Sequence, residues 1–336
     1  MSSSDTPSGA PAPGGASRLT TWHRDLFAAI TAWPWLRDAD EKVAAVVLPV
    51  YDRHRANPVV ELMHGGRWAG HSLHAALSDL PIGFWAGSVV LDVLGKDRAG
   101  STGLDPASTL SAAGIAAAAA TVATGATDWT VSDGEDRRVG LLHGMMNLAG
   151  TTLAAASLAA RVAGKRRPAQ ALGMAGMAVT AAAGYVGGHL VQGRGLMVNR
   201  VANTAGPNRW VKAVEETDLP DGATTGVTVE GRQVVLHRSG DVVYALDDLC
   251  SHAGGLLSRG EVVDCVISCP LHESLFDLRD GHIVRGPAHH PQPVLPTRIR
   301  NGWVEVRGSQ PRARGTRSGA APAEGRTRTR SAPTTT

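Results

Sequence analysis

The chain has 336 residues, of which 43% are hydrophobic, and a formal net charge of +3. This length is sufficient for two domains, whereas so small a positive excess argues against a protein that binds nucleic acid through a basic surface. Only three cysteines are present, so the composition does not require an oxidising compartment.

The N-terminal region divides into two segments. Residues 1–17 are rich in Ser, Pro, Gly and Ala and are predicted to be disordered. Residues 18–71 are predicted to form an amphipathic helical segment that is broken at Pro34. The tryptophans of this segment suit either an interfacial position beside a membrane or a soluble helical cap. No basic region followed directly by a short apolar run is present, so we expect no signal peptide.

Residues 72–192 contain four stretches that are long enough and apolar enough to cross a bilayer. These stretches lie at 73–95, 107–127, 140–163 and 170–191. We therefore predict a four-helix transmembrane bundle, and glycine pairs such as Gly83 with Gly87 and Gly184 with Gly188 have the spacing that lets helices pack closely in lipid. A soluble Ala-rich bundle is the alternative interpretation, because Ala and Gly contribute little to membrane insertion.

The distribution of basic residues predicts the orientation of this domain. Four spans place both ends of the bundle on the same side of the membrane, and Lys and Arg near the helix ends are more numerous on that side. Because basic loops favour the cytoplasm, we expect an integral protein of a bacterial cytoplasmic membrane whose C-terminal domain lies in the cytoplasm.

Ionisable side chains are expensive at membrane depth and usually mark a function or a paired polar contact. Those in or near the predicted spans include His74, Asp79, His143 and His189. They are consistent with a hydrogen-bonded cluster that fixes helix packing, with a b-type haem between facing helices, or with a quinone site. The surrounding segments, at 71–83 and 141–147, resemble a bacterial membrane family of unknown function that has four hydrophobic helices and is sometimes fused to electron-transfer domains.

The pattern changes after a linker at residues 193–208. Residues 209–308 consist of short, Val-rich alternating runs separated by Gly, Asp and Pro, which predicts an antiparallel all-β domain joined by tight hairpins. The expected fold class is therefore multidomain α + β, with an N-terminal four-helix transmembrane bundle followed by the β domain. Residues 309–336 form an Arg-rich tail with little apolar content and are predicted to be disordered.

Two short motifs in the β domain carry metal-binding chemistry. The first is Cys250-Ser251-His252, and the second is Cys269-Pro270-Leu271-His272. In a Rieske [2Fe–2S] centre two cysteines hold one iron and two histidines hold the other, which predicts that Cys250, His252, Cys269 and His272 are the ligands. Tetrahedral zinc is the alternative, but zinc motifs usually pair cysteine with cysteine, whereas each loop here mixes the two residue types.

The segments 269–277 and 286–288 resemble the Rieske ferredoxin family. The resemblance implies one [2Fe–2S] cluster and single-electron transfer, with both ligand histidines near the surface that a redox partner approaches. We expect His289 and His290 to be surface residues near the cluster, and Cys265 to be a small buried residue of a strand. Glu273 stands where most relatives have glycine.

These features predict a membrane-anchored Rieske protein that carries single electrons between a reductase or quinone pool and an unknown acceptor. We expect no catalytic residues, because too few residues follow His272 for the mononuclear-iron domain of Rieske oxygenases. Two alternatives remain: a redox or iron sensor in which the cluster state alters the membrane bundle, and a membrane oxidoreductase containing haem. The expected partners are a redox protein or quinone and the lipid bilayer, with no nucleic acid.

Overall fold

A computed structural model describes residues 15–95, 105–204 and 206–308, with side chains from residue 22 onward. Residues 1–14, most of the N-terminal segment predicted to be disordered, lie outside the described residues, and so does the tail at 309–336. The charged loop at 96–98 between the first two predicted spans also lies outside them.

Helices make up the N-terminal half of the described chain. They are α1 (Gly15–Thr31), α2 (Pro34–His54), α3 (Pro58–His64), α4 (Gly66–Ala69), α5 (Leu73–Leu77), α6 (Asp79–Val93), α7 (Pro106–Thr130), α8 (Gly134–Val162) and α9 (Arg166–Gly188), which a π-helical turn (His189–Gly193) extends. Pro34 opens α2, because proline fixes a helical φ and its missing N–H is not needed in the first turn. Asn57 caps α3 by accepting a hydrogen bond from the Val59 N–H at 2.8 Å.

The four longest helices of residues 72–192, α6 to α9, pack as a bundle in which α6 also contacts α9. Three stretches among the described residues are long and apolar enough to cross a membrane, namely Leu73–Val93, Pro106–Thr130 and Arg166–Gly193. The predicted count of four is not confirmed, because α8 falls outside this set. Its first turns contain Glu135, Asp136 and two arginines, and Arg161 lies in its last turn.

The glycines that allow close helix packing differ from those expected. A Cβ on Gly83, Gly184 or Gly188 would meet nothing within 4 Å, so the predicted role of these three glycines is wrong, whereas a Cβ on Gly87 would lie 3.0 Å from Leu110 Cδ1 of α7. The close approach occurs instead between α8 and α9, where a Cβ on Gly150 would lie 2.4 Å from Thr180 Oγ1 and one on Gly176 would lie 3.2 Å from the Gly150 carbonyl oxygen. Spacing alone identifies a small-residue stripe but not the face that meets a neighbour.

Buried ion pairs fasten both ends of the bundle. At the end facing the β domain, Arg137 donates to both carboxylate oxygens of buried Asp40, with N···O distances between 2.8 and 3.1 Å, and thereby ties α2 to α8. At the opposite end, Arg161 of α8 pairs with Asp92 of α6. These pairs explain how charged residues are accommodated at the helix ends, since each buried charge has a partner.

The β domain is antiparallel throughout, as predicted. Its strands are β1 (Val211–Glu215), β2 (Thr224–Val229), β3 (Arg232–Ser239), β4 (Val242–Asp247), β5 (Val262–Val263), β6 (Val266–Ser268), β7 (Leu275–Asp277), β8 (Ile283–Arg285), β9 (Thr297–Arg300) and β10 (Trp303–Val306). They form three sheets with the strand orders β1-β10-β9, β2-β3-β4 and β5-β6-β7-β8. The third sheet carries the second ligand motif between β6 and β7.

Cys265 does not lie in a strand. It follows Asp264 in the turn between β5 and β6, and both residues have positive φ, at 50° and 63°. The side chain is partly exposed rather than buried. The run from 262 to 268 is mostly apolar, which favours a single strand, but it forms a two-strand hairpin.

Candidate metal centre

Reciprocal backbone hydrogen bonds shape the two ligand loops. In the first loop, the Cys250 N–H donates to the Gly255 carbonyl oxygen at 2.8 Å, and the Gly254 N–H donates to the Cys250 carbonyl oxygen at 2.9 Å. Gly254 has φ of +78°, a conformation that favours glycine. The second loop has the same pattern, because Cys269 and Ser274 share a bond of 2.8 Å and Glu273 donates to the Cys269 carbonyl at 2.9 Å. Each loop is therefore a tight turn that opens on a cysteine.

The two loops bring the four predicted ligand side chains together. The Cys250 and Cys269 thiols are both buried and hydrogen-bond to one another. The imidazole rings of His252 and His272 lie with their centroids 5.0 Å apart and their planes at 83°. A Cβ on Gly255 would lie 2.9 Å from the Cys269 sulfur, so glycine is needed there for the loops to approach. Two sulfurs and two ring nitrogens thus converge on one place.

Burial and hydrogen bonds set the charge of these groups. The pKa of Cys269 is lowered to about 6, first by the hydrogen bond from Cys250 and then by the backbone N–H groups of Leu271 and His272. The pKa of Cys250 is raised because its thiol donates that bond and is buried. Burial holds the pKa of His252 well below its ordinary value. The site therefore offers a thiolate and a neutral imidazole, which are the protonation states that bind metals.

The nitrogens of His272 test whether these residues fit a cluster. Nδ1 is buried and has no hydrogen-bond partner among the described residues, whereas Nε2 lies 2.9 Å from Asp133 Oδ2. A ligand histidine binds the metal through one nitrogen and donates through the other to a carboxylate or carbonyl. The arrangement at His272 fits that pattern.

The exposure of the histidine edge differs from the expectation. His252 is only 5% exposed, and helices of the N-terminal half lie against this edge. His289, expected at the surface, is 4% exposed, and its Nε2 lies 3.1 Å from the carbonyl oxygen of His64 at the end of α3. The expectation is wrong for His252 and His289, because it considered the β domain alone and the helical domain covers its cluster-binding end. His272 and His290 are partly exposed.

Several contacts hold the two halves together around this edge. Arg55 pairs with Glu273 at 2.6 Å, and the Gly286 N–H donates to Glu61 Oε1 at 2.9 Å. The Arg200 N–H donates to the Ser251 carbonyl oxygen at 3.0 Å. These residues could not be identified from the sequence, because the residues around Arg55, Glu61 and Arg200 give no indication that they contact loops of the β domain far along the chain.

Beneath this interface lies a buried polar group on the helical side. His64 contacts Tyr51, with 2.9 Å between Nε2 and the hydroxyl oxygen, and its Nδ1 lies 3.4 Å from Asp128 Oδ1. Ser72 donates to the other oxygen of Asp128. Burial raises the pKa of Tyr51 to about 12. The polar group anchors the loop of α3 and α4 that reaches the β domain.

A cleft of about 200 Å³ opens beside the cluster histidines and is lined by both halves of the chain. Asp133 and Asp136 line it from the α7–α8 turn and the start of α8, Met197 and Arg200 from the segment after α9, and Leu271 and His272 from the second ligand loop. A small molecule in this cleft would meet the imidazoles of His252 and His272, two carboxylates, the Arg200 guanidinium and apolar side chains.

The polar residues predicted within the bundle do not form one site. His74 and His143 come together, with ring centroids 6.2 Å apart, and each places Nδ1 within hydrogen-bonding distance of a backbone carbonyl oxygen, that of Thr121 at 2.9 Å and that of Ala183 at 2.8 Å. His189 instead stacks on Phe27, with centroids 3.5 Å apart. Asp79 is exposed in the first turn of α6. The contacts of His74 and His143 match a hydrogen-bonded packing cluster.

Comparison with known proteins agrees with this geometry. Residues 209–297 match the Rieske [2Fe-2S] domain, and residues 70–200 match a family described as a predicted membrane protein, DUF2231. Both resemblances inferred from the sequence are thereby confirmed, and the Rieske domain implies the predicted [2Fe–2S] cluster.

Several relatives of the β domain are ferredoxins. The ferredoxin component of a naphthalene 1,2-dioxygenase system from Pseudomonas putida is 34% identical over 98 residues, which are 29% of this chain and 94% of the relative. The anthranilate 1,2-dioxygenase ferredoxin subunit of Burkholderia cepacia is 43% identical over 75 residues, 22% of this chain and 69% of that protein. The solved ferredoxin of carbazole 1,9a-dioxygenase from Nocardioides aromaticivorans IC177 is 31% identical, with a TM-score of 0.29, and the match covers 30% of this chain and 98% of that one. Because the match to the Pseudomonas putida ferredoxin is 34% identical and spans 94% of that protein, this chain belongs to the Rieske [2Fe–2S] family, and it joins the Rieske domain to a DUF2231 domain.

Proposed function

We propose that the chain is a membrane-anchored electron carrier whose cluster is held by Cys250, His252, Cys269 and His272. The observation that carries this proposal is the contrast between the two nitrogens of His272, one buried without a partner and the other facing Asp133. The same four side chains converge from two tight loops, with the sulfurs in contact and the imidazoles side by side.

The chain's residues suit a carrier that changes oxidation state by one electron. A bound [2Fe–2S] cluster would accept and release single electrons. Cys250 and Cys269 supply sulfur, and the backbone N–H groups of Leu271 and His272 stabilise negative charge on Cys269. His252 and His272 replace thiolates with neutral nitrogen, which favours the reduced state relative to an all-cysteine site.

The helical half supports the membrane attachment. We propose that α8 is the fourth span beside the three apolar stretches, because it packs along α7 and α9 and because its charged residues lie in its first and last turns. The Rieske domain sits at the end of the bundle that carries Arg55, Arg137 and Arg200. Lys and Arg residues near the helix ends on this side support a cytoplasmic position for that domain.

Redox proteins are the first partners to test. The relatives are ferredoxin components of dioxygenase systems, so a reductase as electron donor and a protein acceptor are consistent with the likeness. A quinone is the second candidate, because the cleft beside His272 opens at the ends of apolar helices that would reach the bilayer surface.

A redox or iron sensor is a second candidate function. The hydrogen bond between Asp133 and His272 joins the α7–α8 turn to the cluster, so a change at the cluster has a direct route to the bundle. A sensor should show altered amide hydrogen exchange in α7 and α8 on reduction and slow electron transfer with every donor tried. A carrier should be reduced and reoxidised rapidly.

His272→Ala tests the ligand assignment. We expect the detergent-solubilised, dithionite-reduced wild-type protein to show a Rieske EPR signal and two irons per chain, and the variant to lose the signal because one iron lacks a nitrogen ligand. His282→Ala is the matched control, since His282 lies in the same domain but pairs with Asp280 at the surface.

Two results would contradict the proposal. One is an unaltered spectrum in the His272→Ala protein, and the other is a single zinc per wild-type chain. A reduced-minus-oxidised optical spectrum of the same samples tests the haem alternative, which requires a Soret difference band.

A further inference from the structure

The α7–α8 turn reaches across to the cluster-binding edge of the Rieske domain. Asp133 Oδ2 lies 2.9 Å from Nε2 of His272, although 139 residues separate the two in the chain. Because the other nitrogen of His272 is the one assigned to the metal, this bond is made at the outer nitrogen of the ligand. A side chain of the helical domain thus contacts the cluster's own ligand directly.

The orientation of Asp133 is unusual for its position in the chain. It precedes α8 as the N-cap residue, where aspartate normally accepts a hydrogen bond from a backbone N–H of its own helix. Asp133 makes no such side-chain bond. Its carboxylate points to His272 instead, so the hydrogen bond to the ligand histidine replaces the capping bond that Asp133 could make to its own helix.

Neighbouring contacts also join the helical half to the two ligand loops. Arg55 pairs with Glu273, the residue after His272, and the Arg200 N–H binds the Ser251 carbonyl beside His252. The next acidic residue of α8 that lines the cleft, Asp136, is engaged by Arg194 at 2.5 Å and does not contact His272. Of these two carboxylates, Asp133 is therefore the one that hydrogen-bonds to His272.

We propose that Asp133 is a positioning residue for His272, which orients the ligand imidazole and lowers the midpoint potential of the cluster. An anionic acceptor at the outer nitrogen increases the basicity of the metal-binding nitrogen. A more basic ligand stabilises the more oxidised iron, so the cluster becomes harder to reduce. The carboxylate is 71% exposed, and solvent screens its charge; the direct hydrogen bond therefore contributes more than the field of the charge.

This inference rests on the proposed ligand set. It gives the helical domain a role beyond attachment, because docking of the α7–α8 turn sets the potential. An undocked Rieske domain, without this carboxylate, would have a higher potential than the docked one.

Asp133→Asn tests the inference in the full-length, detergent-solubilised protein. Asparagine keeps the size of the side chain and removes its charge. We expect the Rieske EPR signal to be retained, the midpoint potential to rise, and the nitrogen couplings of the ligand histidines in pulsed EPR to change. Asp133→Glu, which restores a carboxylate, should bring the potential back toward the wild-type value.

Asp136→Asn is the matched control, because it removes one negative charge from the same cleft without touching His272. A potential that shifts equally in the two Asn variants would overturn the inference, since a general field effect would then suffice. Loss of the cluster in Asp133→Asn would overturn it as well, because Asp133 would then be required for assembly. Absence of a Rieske signal in the wild-type protein would instead refute the proposed function.

Discussion

At the scale of single residues, the hairpin between β5 and β6 contains a local conflict. Asp264 and Cys265 occupy its two central positions with φ of 50° and 63°. Aspartate tolerates this left-handed region, whereas other residues with a Cβ pay roughly 1–2 kcal/mol there. The Leu278 N–H donates to the Cys265 carbonyl at 2.8 Å, so the turn is fixed by the rest of the sheet.

Cys265→Gly should stabilise the Rieske domain. Glycine removes the strain but loses more entropy on folding, so we expect a net gain of about 0.5–1 kcal/mol. The measurement is the free energy of unfolding by denaturant, followed by EPR of the same samples. The cluster signal should be unchanged, because Cys265 is not one of the proposed ligands; a lost signal would contradict the ligand set.

Glu273 shows what could and could not be predicted at this scale. The two motifs place four ligand-type side chains correctly, because each loop closes on itself through local backbone bonds. Glu273 occupies a position with φ of +59°, where glycine is favoured. Within its own domain Arg285 of β8 donates to its carbonyl oxygen at 3.1 Å and lies 3.5 Å from its carboxylate. Its carboxylate makes a shorter ion pair, at 2.6 Å, with Arg55, the residue that follows α2. An analysis of the β domain alone could not supply that contact.

At the scale of elements, the bundle contains the same packing contact twice. The ring of His74 lies against Gly125 of α7, with its Nδ1 bound to the carbonyl four residues earlier, at Thr121. The ring of His143 lies against Gly187 of α9, with its Nδ1 bound to the carbonyl four residues earlier, at Ala183. In both cases a glycine provides room for an imidazole that hydrogen-bonds the neighbouring helix.

Gly125→Ala should destabilise the bundle. Its Cβ would lie 2.7 Å from two atoms of the His74 ring, so the ring must move and its bond to Thr121 would be strained or broken. We expect a loss of about 1–3 kcal/mol, as for other overpacked interiors. Thermal unfolding in detergent measures it, with Gly144→Ala as control, since a Cβ there would meet nothing within 4 Å. An equal effect of both substitutions would contradict this packing role.

Most helices and strands could be predicted from the periodicity of apolar residues and from the turn residues. The long apolar stretches became α6, α7 and α9, and most Val-rich runs became strands. Strand β9 (Thr297–Arg300) contains no valine and is not one of the Val-rich runs; its pairing with β10 defines it. The face that each helix buries could not be predicted either, as the open space at Gly83 and Gly184 shows.

At the scale of the whole molecule, the docking of the two halves determines how the cluster can be reached. The contact is close at Gly66, the first residue of α4, where a Cβ would lie 2.3 Å from the Ala288 carbonyl oxygen. Ala288 belongs to the buried core beneath the ligand loops. A redox protein that needs the histidine edge must therefore use the cleft or displace the helical domain.

Gly66→Ala should loosen this docking without removing the cluster. A backbone carbonyl cannot move aside as a flexible side chain does, so α4 and the loop at 286–290 must separate. We expect faster amide hydrogen exchange in that loop and in the α7–α8 turn, together with a retained Rieske signal, because the four proposed ligands all lie in the β domain. Gly83→Ala is the control, since it adds the same methyl group at an open position. Unchanged exchange in the Gly66→Ala protein would mean that the two halves are not held together at this contact.

The midpoint potential of the cluster gives a second measurement on the same variant. If the docked state keeps the potential low through Asp133, the Gly66→Ala protein should show a higher midpoint potential than the wild-type protein.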